Sequence, residues 1–443
     1  MPSPPRNSQH HVKKKHAKFY PCSNIYLSKY GVRLNSPTCR FCNARLISFC
    51  NLGYSPLANS FLGKSQLHTK EPFYPLHVYV CGDCHLVQLE EFESPQNIFH
   101  DYAYFSSYSE TWLKHCQVYT DQVIPRFNLD CNKQVIEIAS NDGYLLKIFK
   151  EKKFPVLGIE PAENVARVAE SFGIPTIKSF FNSGLARELT KKNRQADLLI
   201  CNNVLAHAPN LNDFIAGLKI ILKPDGVITL EFPSLIQLIE QNQFDTIYHE
   251  HFSYFSCLTA EKIFAHHKLS LFDVEELKTH GGSLRIYVRH QENSANSISE
   301  NVSRIKLREK KQGLDKLDSY HNFSKQVKET KRRLHEFLTK TKQSGKSIAA
   351  YGAPAKGNTL LNYCGIGTDF VDYTVDLNPH KQGRFLPGTH IPIFHPDKIK
   401  ETKPDYLLIL PWNIKSEIME QMKCIIQWGG KFITPIPNLK VQP

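Results

Sequence analysis

Apolar residues come in short buried runs separated by amphipathic stretches over most of the chain. Val135–Ala139, Val156–Glu160, Leu198–Asn202 and Val227–Phe232 read as strands buried on both faces. Between them, Tyr144–Glu151, Pro161–Phe172, Leu185–Lys192 and Asn212–Leu222 carry helical spacing. Lys223-Pro-Asp-Gly226 stops the last helix and starts a turn. Alternating strand and helix predicts an α/β domain with a parallel sheet and helices on both faces. Upstream, Leu76–Val80 and Leu86–Leu89 alternate like strands of a separate small unit. Downstream, residues 301–346 are charged and read as helix, and Ser347–Tyr351, Val371–Val375 and Tyr406–Leu410 predict a second, smaller α/β unit.

The pattern divides the chain into a basic arm (1–36), a cysteine-bearing module (37–100), a large α/β domain (101–300), a charged helical connector (301–346) and a C-terminal α/β domain (347–443). The length of 443 residues suits several domains. No apolar run is long enough to span a membrane, and no secretory leader is legible. The net charge of +13 is local. Residues 1–33 contribute +7 and residues 304–346 contribute +9, which leaves the rest at −3. A nucleic-acid partner is therefore not expected. The arm, with Lys13-Lys14-Lys15, reads as disordered.

Cys39-Arg-Phe-Cys42 and Cys81-Gly-Asp-Cys84 are two C-x-x-C pairs in a chain of twelve cysteines. Each pair can bite one metal. Four thiolates suit tetrahedral zinc and leave no open position, so the expected role is structural. Four unligated thiols in a reducing cytoplasm remain the alternative, and either reading places the protein there.

Val135-Ile-Glu-Ile-Ala-Ser-Asn-Asp-Gly143 is an apolar strand with an inner acid, followed by a small-residue turn and a helix. It resembles the first motif of class I S-adenosylmethionine methyltransferases, with alanine and asparagine replacing two glycines. Ala139, Ser140, Asn141 and Gly143 allow a ligand close to the backbone. Glu137 and Asp142 are candidates for the ammonium end of the methionine moiety. Glu160, ending the next strand, is placed to accept from ribose hydroxyls. Asn202, Asn203 and His207 follow the strand that flanks the methionine. A dinucleotide site would want G-x-G-x-x-G, which is absent after the first strand.

Gln243–Tyr254 follows the fourth strand and gathers Tyr248, His249, Glu250, His251 and Tyr254. These residues resemble those of the C-methyltransferases that act on nucleotide-linked deoxy-keto-sugars. The resemblance covers residues 37–440. It is carried by the two cysteine pairs, Asp101-Tyr-Ala-Tyr-Phe-Ser-Ser107, Ser140-Asn-Asp-Gly143, Asn202-Asn-Val-Leu-Ala-His207, Tyr248-His-Glu-His251, His280-Gly-Gly-Ser283 and Gly352-Ala-Pro-Ala-Lys-Gly-Asn358. It implies a class I Rossmann-like methyltransferase core between a zinc module and a Rossmann-like C-terminal domain. It also implies carbon methylation beside a sugar ketone, with C3 next to a 4-ketone as the expected position. His251 is the expected base, since imidazole titrates nearest working pH. Glu250 would orient it or bind a sugar hydroxyl, and Tyr248 and Tyr104 would hydrogen-bond the developing oxyanion. His249 alternates with His251 and is expected to face away. His280 opens a turn that either approaches the sugar or simply closes a hairpin. Lys356, Asn358 and Thr359, at a helix N-terminus, with Lys381 and Arg384 beyond, are candidates for the substrate's diphosphate. O- or N-methylation of another small molecule stays open, as does the oligomeric state.

Overall fold

The protein, in a computed structural model, is described at residues 27–28, 31–32, 37–99 and 106–443. Leu27–Ser28 and Gly31–Val32 pair antiparallel within a unit of their own, residues 1–36. The rest of the expected basic arm, and the expected catalytic Tyr104, lie outside the described residues.

Residues 37–443 form one unit holding three sheets. Strands β1 (Leu46–Ser55), β2 (Tyr74–Cys81) and β3 (Val87–Leu89) form an antiparallel meander behind the first cysteine pair. Helix α1 (Glu110–Arg126) opens the central domain, its N-terminus capped by Ser109, whose side chain accepts from the Trp112 N–H. There follow β4 (Val135–Ile138), α2 (Tyr144–Glu151), β5 (Val156–Ile159), α3 (Glu163–Ser171) and β6 (Thr176–Ile177). Then come α4 (Ser183–Lys191), β7 (Ala196–Asn202), α5 (Leu211–Ile221) and β8 (Leu222–Pro233). The expected turn at Lys223–Gly226 falls inside β8 as a break in its pairing with β7, between Leu222 and Val227. A two-residue strand, β9 (Ser253–Tyr254), leaves this domain and joins the meander on β3. Helix α6 (Cys257–His266) leads to the hairpin of β10 (Leu269–Leu277) and β11 (Ser283–His290).

The central sheet runs β10-β11-β8-β7-β4-β5-β6, parallel except for the hairpin strand β11, which lies antiparallel to both neighbours. This is the strand order of a class I methyltransferase. The order reverses between β4 and β7, and ligands of open α/β sheets bind outside the carboxyl ends at such a point. The strands are mostly apolar there because both faces are covered: Val135, Ile136, Leu198, Leu199 and Ile200 have no exposed surface.

The charged connector is two helices, α7 (Glu300–Lys311) and α8 (Asp318–Gln343). The charges occupy one face of α8. Tyr320, Phe323, Val327, Leu334 and Leu338 recur at helical spacing on the other and are buried. The last sheet holds β12 (Ile348–Tyr351), β13 (Thr374–Val375), β14 (Ile393–Phe394), β15 (Tyr406–Ile409), β16 (Lys431–Thr434) and β17 (Lys440–Gln442), with helix α9 (Ala355–Cys364) after β12. Its order is β14-β13-β12-β15-β16-β17, parallel up to the final antiparallel strand. The strand expected at Val371–Val375 is thus shorter than its apolar run. The hydrophobic core is continuous from the meander through α8 into this last sheet, since Phe49, Phe61, Phe323, Leu360 and Leu408 share one cluster.

Candidate functional site

The carboxyl ends of the central sheet and of the last sheet border one cleft of about 1330 Å³. A site for one small ligand takes roughly 300–1,000 Å³, so this cleft has room for a donor and an acceptor together.

At one end lie the turn after β4 and the ends of β5 and β7. Ala139, Asn141, Glu160, Asn202, Asn203 and His207 all line the cleft there. Ala139 and Asn141 adopt left-handed backbone, with φ of 56° and 49°, which shapes the tight turn. The Glu160 carboxylate accepts from the Asn141 N–H at 2.9 Å and the Ala162 N–H at 2.8 Å. Burial nonetheless pushes its pKa up to about 7. Each of its oxygens keeps a lone pair for a further donor. Asn202 and Asn203 each leave a buried side-chain oxygen without a hydrogen-bond partner. Buried polar atoms normally have partners, so these two fit a polar ligand in the cleft. The donor set therefore matches the ribose and methionine portions of S-adenosylmethionine.

Three residues expected at the cofactor, Asp142, Glu137 and Gly143, are buried and lie outside the cleft lining. Asp142 accepts from the backbone N–H and the hydroxyl of Ser107, at 3.1 and 2.6 Å, and so ties that segment over the turn. Glu137 sits beneath the turn, and its burial holds the carboxyl well above the ordinary range, against the Tyr144 hydroxyl, which lowers it. Gly143 is required by packing rather than ligand approach. Its φ is +78°, and a Cβ there would lie 2.5 Å from Ile174 Cδ1.

The middle of the cleft holds the histidines. The segment that follows β8 turns at Phe244–Thr246 and delivers Tyr248, Glu250 and His251 to the lining. His251 Nδ1 lies 3.0 Å from the Thr246 carbonyl oxygen. A carbonyl only accepts, so Nδ1 carries the proton and Nε2 the lone pair. Burial, followed by the nearby His207, lowers the His251 pKa well below its ordinary value, so the ring is neutral at working pH. The Tyr248 ring lies 4.0 Å from it, centroid to centroid, and the His207 ring 4.9 Å. His207 Nδ1–H donates to the Glu250 carbonyl oxygen at 2.7 Å, and burial depresses its pKa to about 4. The Glu250 carboxyl accepts from Asn59 Nδ2 at 2.7 Å, while burial raises its pKa to about 7. His249 faces away and bonds the Pro75 carbonyl of β2 at 3.1 Å.

His280 lies in the turn of the β10–β11 hairpin, and its side chain lines the cleft. Its Nε2 accepts from Asn203 Nδ2 at 3.3 Å, and burial lowers its pKa to about 4. Beside it lies a group that the sequence did not single out. His115 and Trp112 of α1 line the cleft. His115 Nε2 and Arg285 both approach Glu231 Oε2, at 2.8 and 3.0 Å, and Thr279 donates to Glu231 Oε1 at 2.6 Å. Burial alone would raise the Glu231 pKa, but these partners bring it down to about 2. The signal that could have found helix α1 is the helical spacing of Trp112, Cys116, Tyr119 and Val123.

The far end is built by the last sheet. Lys356 and Lys381 line the cleft. Asn358 and Thr359 do not: they are buried, and donate to the carbonyls of Ala58 and Ile247 at 2.5 and 3.0 Å. They anchor α9 to the meander and to the histidine segment. Arg384 is exposed and outside the cleft lining.

The four thiol sulfurs of Cys39, Cys42, Cys81 and Cys84 lie within 4.8 Å of one another. Zinc–sulfur bonds of about 2.3 Å imply tetrahedral edges of about 3.8 Å, so the cage fits zinc. Gln88 Nε2 donates to Cys39 Sγ at 3.2 Å, as a second shell stabilising a thiolate would. A zinc ion held by these four sulfurs would have no open position, which suits a structural role.

Comparison with known proteins gives three family matches in order: a zinc-binding domain over residues 39–99, a methyltransferase domain over 112–271 and a C-methyltransferase C-terminal domain over 278–437. The C-methyltransferase NovU of Streptomyces niveus is 33% identical over 404 residues, 91% of this chain and 96% of that protein. Among solved structures, an S-adenosylmethionine-dependent methyltransferase from Clostridium acetobutylicum covers 40% of this chain and 92% of its own at 13% identity, with a TM-score of 0.33. A Pyrococcus horikoshii protein covers 45% of this chain and 99% of its own at 16% identity, with a TM-score of 0.34.

Proposed function

Because the chain belongs to the S-adenosylmethionine-dependent C-methyltransferases built from a zinc-binding module, a methyltransferase domain and a C-methyltransferase C-terminal domain, we propose that its acceptor is a nucleoside-diphosphate-linked deoxy-keto-sugar. The methyl goes to the carbon beside the ketone, C3 next to a 4-ketone, on the way to a branched sugar. The observation that carries this reading is His251: a buried, neutral imidazole whose Nδ1 proton is fixed on the Thr246 carbonyl, leaving Nε2 as a base inside the cleft.

A carbon acceptor must be made nucleophilic, and a ketone lowers the neighbouring C–H pKa only part of the way. His251 takes that proton. Tyr248, against the His251 ring, donates to the oxygen that becomes negative. Glu250, held by Asn59, binds a sugar hydroxyl. Glu160, Asn202 and Asn203 hold the donor, which supplies an electrophilic methyl when bound. Keeping the two partners near contact supplies much of the acceleration. Lys381, which also lines the cleft, serves the diphosphate. The acceptor is a small molecule, and neither nucleic acid nor membrane is a partner in this reading. No helix among the described residues is long and apolar enough to cross a membrane. The free thiols of the zinc cage call for a reducing compartment, and we place the protein in the cytoplasm.

Mass spectrometry of a panel of nucleoside-diphosphate keto-sugars, incubated with isotopically labelled donor, tests the substrate class. One labelled methyl on the sugar ring is expected. Label on none of the keto-sugars would overturn the proposal.

A further inference from the structure

We propose that the C-terminal domain supplies a catalytic cation: the Lys356 ammonium hydrogen-bonds and neutralises the ketone oxygen of the sugar while His251 removes the neighbouring proton. The inference rests on the carbon-methylation reading above and assigns Lys356 to the reacting atoms instead of the diphosphate.

Three observations place it there. Lys356 lines the cleft from the first turn of α9, with Nζ 2.8 Å from Asn413 Oδ1 and 4.6 Å above the Trp412 ring. Trp412 is itself locked into the central domain. Its indole N–H donates to the buried Asp245 at 2.6 Å, in the segment that follows β8, and a Cβ on Gly281 would meet the ring at 2.6 Å. The ammonium is therefore held against the histidine segment and the His280 turn. Of the four lysines lining the cleft, Lys114, Lys278, Lys356 and Lys381, only Lys356 bears electrostatically on both His251 and His280.

The chemistry needs such a group. The imidazoles of His207, His251 and His280 are all held neutral by burial, and Glu250 adds no positive charge. Neutral donors alone leave the enolate without a counter-charge in a water-poor cleft. In the step, the C–H bond breaks and its proton forms the N–H bond at His251 Nε2. The electron pair moves onto the ketone oxygen, where the Lys356 ammonium meets it. The same electron pair then returns through carbon to form the new carbon–carbon bond to the methyl, while the methyl–sulfur bond breaks and its electron pair stays on sulfur, so that S-adenosylhomocysteine leaves as the neutral thioether. The Lys356 charge also keeps His251 deprotonated, ready to accept.

The test is deuterium wash-in at the carbon beside the ketone, in deuterium oxide, with zinc-loaded protein, S-adenosylhomocysteine and saturating nucleoside-diphosphate keto-sugar. Wild type is expected to exchange. Lys356→Met should slow exchange by about 100-fold or more, the scale of losing one oxyanion donor. Its affinity for the nucleoside diphosphate alone should stay within about fivefold, well under the tenfold of 1.4 kcal/mol. Undiminished exchange at saturation with weakened nucleoside-diphosphate binding would make Lys356 a phosphate ligand and overturn the assignment. No exchange in wild type would instead sink the carbon-methylation reading itself. Should Lys356→Met fail to fold, Lys356→Arg keeps the charge but not the compact ammonium. Exchange slowed about tenfold or more with intact nucleotide binding then supports the assignment, and unaltered exchange overturns it.

Discussion

His251 is one of two imidazoles two residues apart, and backbone alternation separates them: His249 bonds a neighbouring strand while His251 enters the cleft. Replacing His251 with Asn keeps a polar side chain of similar reach. It should cut turnover by about 10²–10⁴-fold, the usual worth of general-base catalysis, and leave calorimetric binding of the donor intact. Retained turnover would show that another group takes the proton. Glu160 gives a pH dependence. Ribose hydroxyls need an ionised acceptor, and this carboxyl is half protonated in the free protein at about pH 7. Donor affinity should hold above pH 7 and weaken toward about tenfold per unit below it, with Glu160→Gln flattening the dependence. Titrating donor binding between pH 5.5 and 8.5, a window bracketing that pKa of about 7, checks both. Spacing made Glu160 and His251 legible. It could not separate Asp142, which ties down Ser107, from a ligand contact, because both uses put an acid in the same turn.

The smallest strand has the largest reach. Two residues past His251, β9 leaves the central domain and pairs with β3, Ser253 opposite Gln88 and Tyr254 opposite Val87. The zinc module also sends Asn59 to Glu250. The metal thus supports the reactive segment through two connections. Stripping zinc with a chelator, or Cys39→Ser, should lower the melting temperature and reduce kcat, with donor affinity affected less. Full activity after stoichiometric zinc loss, measured by metal analysis beside the assay, would contradict that link. The long elements of the central sheet were legible because burial on both faces writes continuous apolar runs. Strand β9 was not, since two residues carry no period. Helix α1 was also missed, although its buried positions, Trp112, Cys116, Tyr119 and Val123, recur at helical spacing, and His115 escaped notice with it.

The molecule places one cleft between two Rossmann-like layers, and the cysteine-bearing module contacts both. Two of the bracing residues read as ligands from sequence. Asn358 and Thr359 look like phosphate ligands at a helix start, yet they bond carbonyls of the meander and of the histidine segment. Only contacts between segments about 110–300 residues apart decide that, and no local pattern records them. Trp412 does the same work from the other side. Trp412→Phe should leave Asp245 buried without its donor, destabilise the protein by about 1–3 kcal/mol in a denaturant titration, and slow turnover by loosening Lys356. An unaltered midpoint would show the contact to be dispensable. The account as a whole turns on where the methyl group lands. Nuclear magnetic resonance of the product made with an isotopically enriched methyl donor decides it. A methyl signal coupled to the ring carbon beside the ketone is the predicted result, and a methyl carried on oxygen or nitrogen would contradict the account.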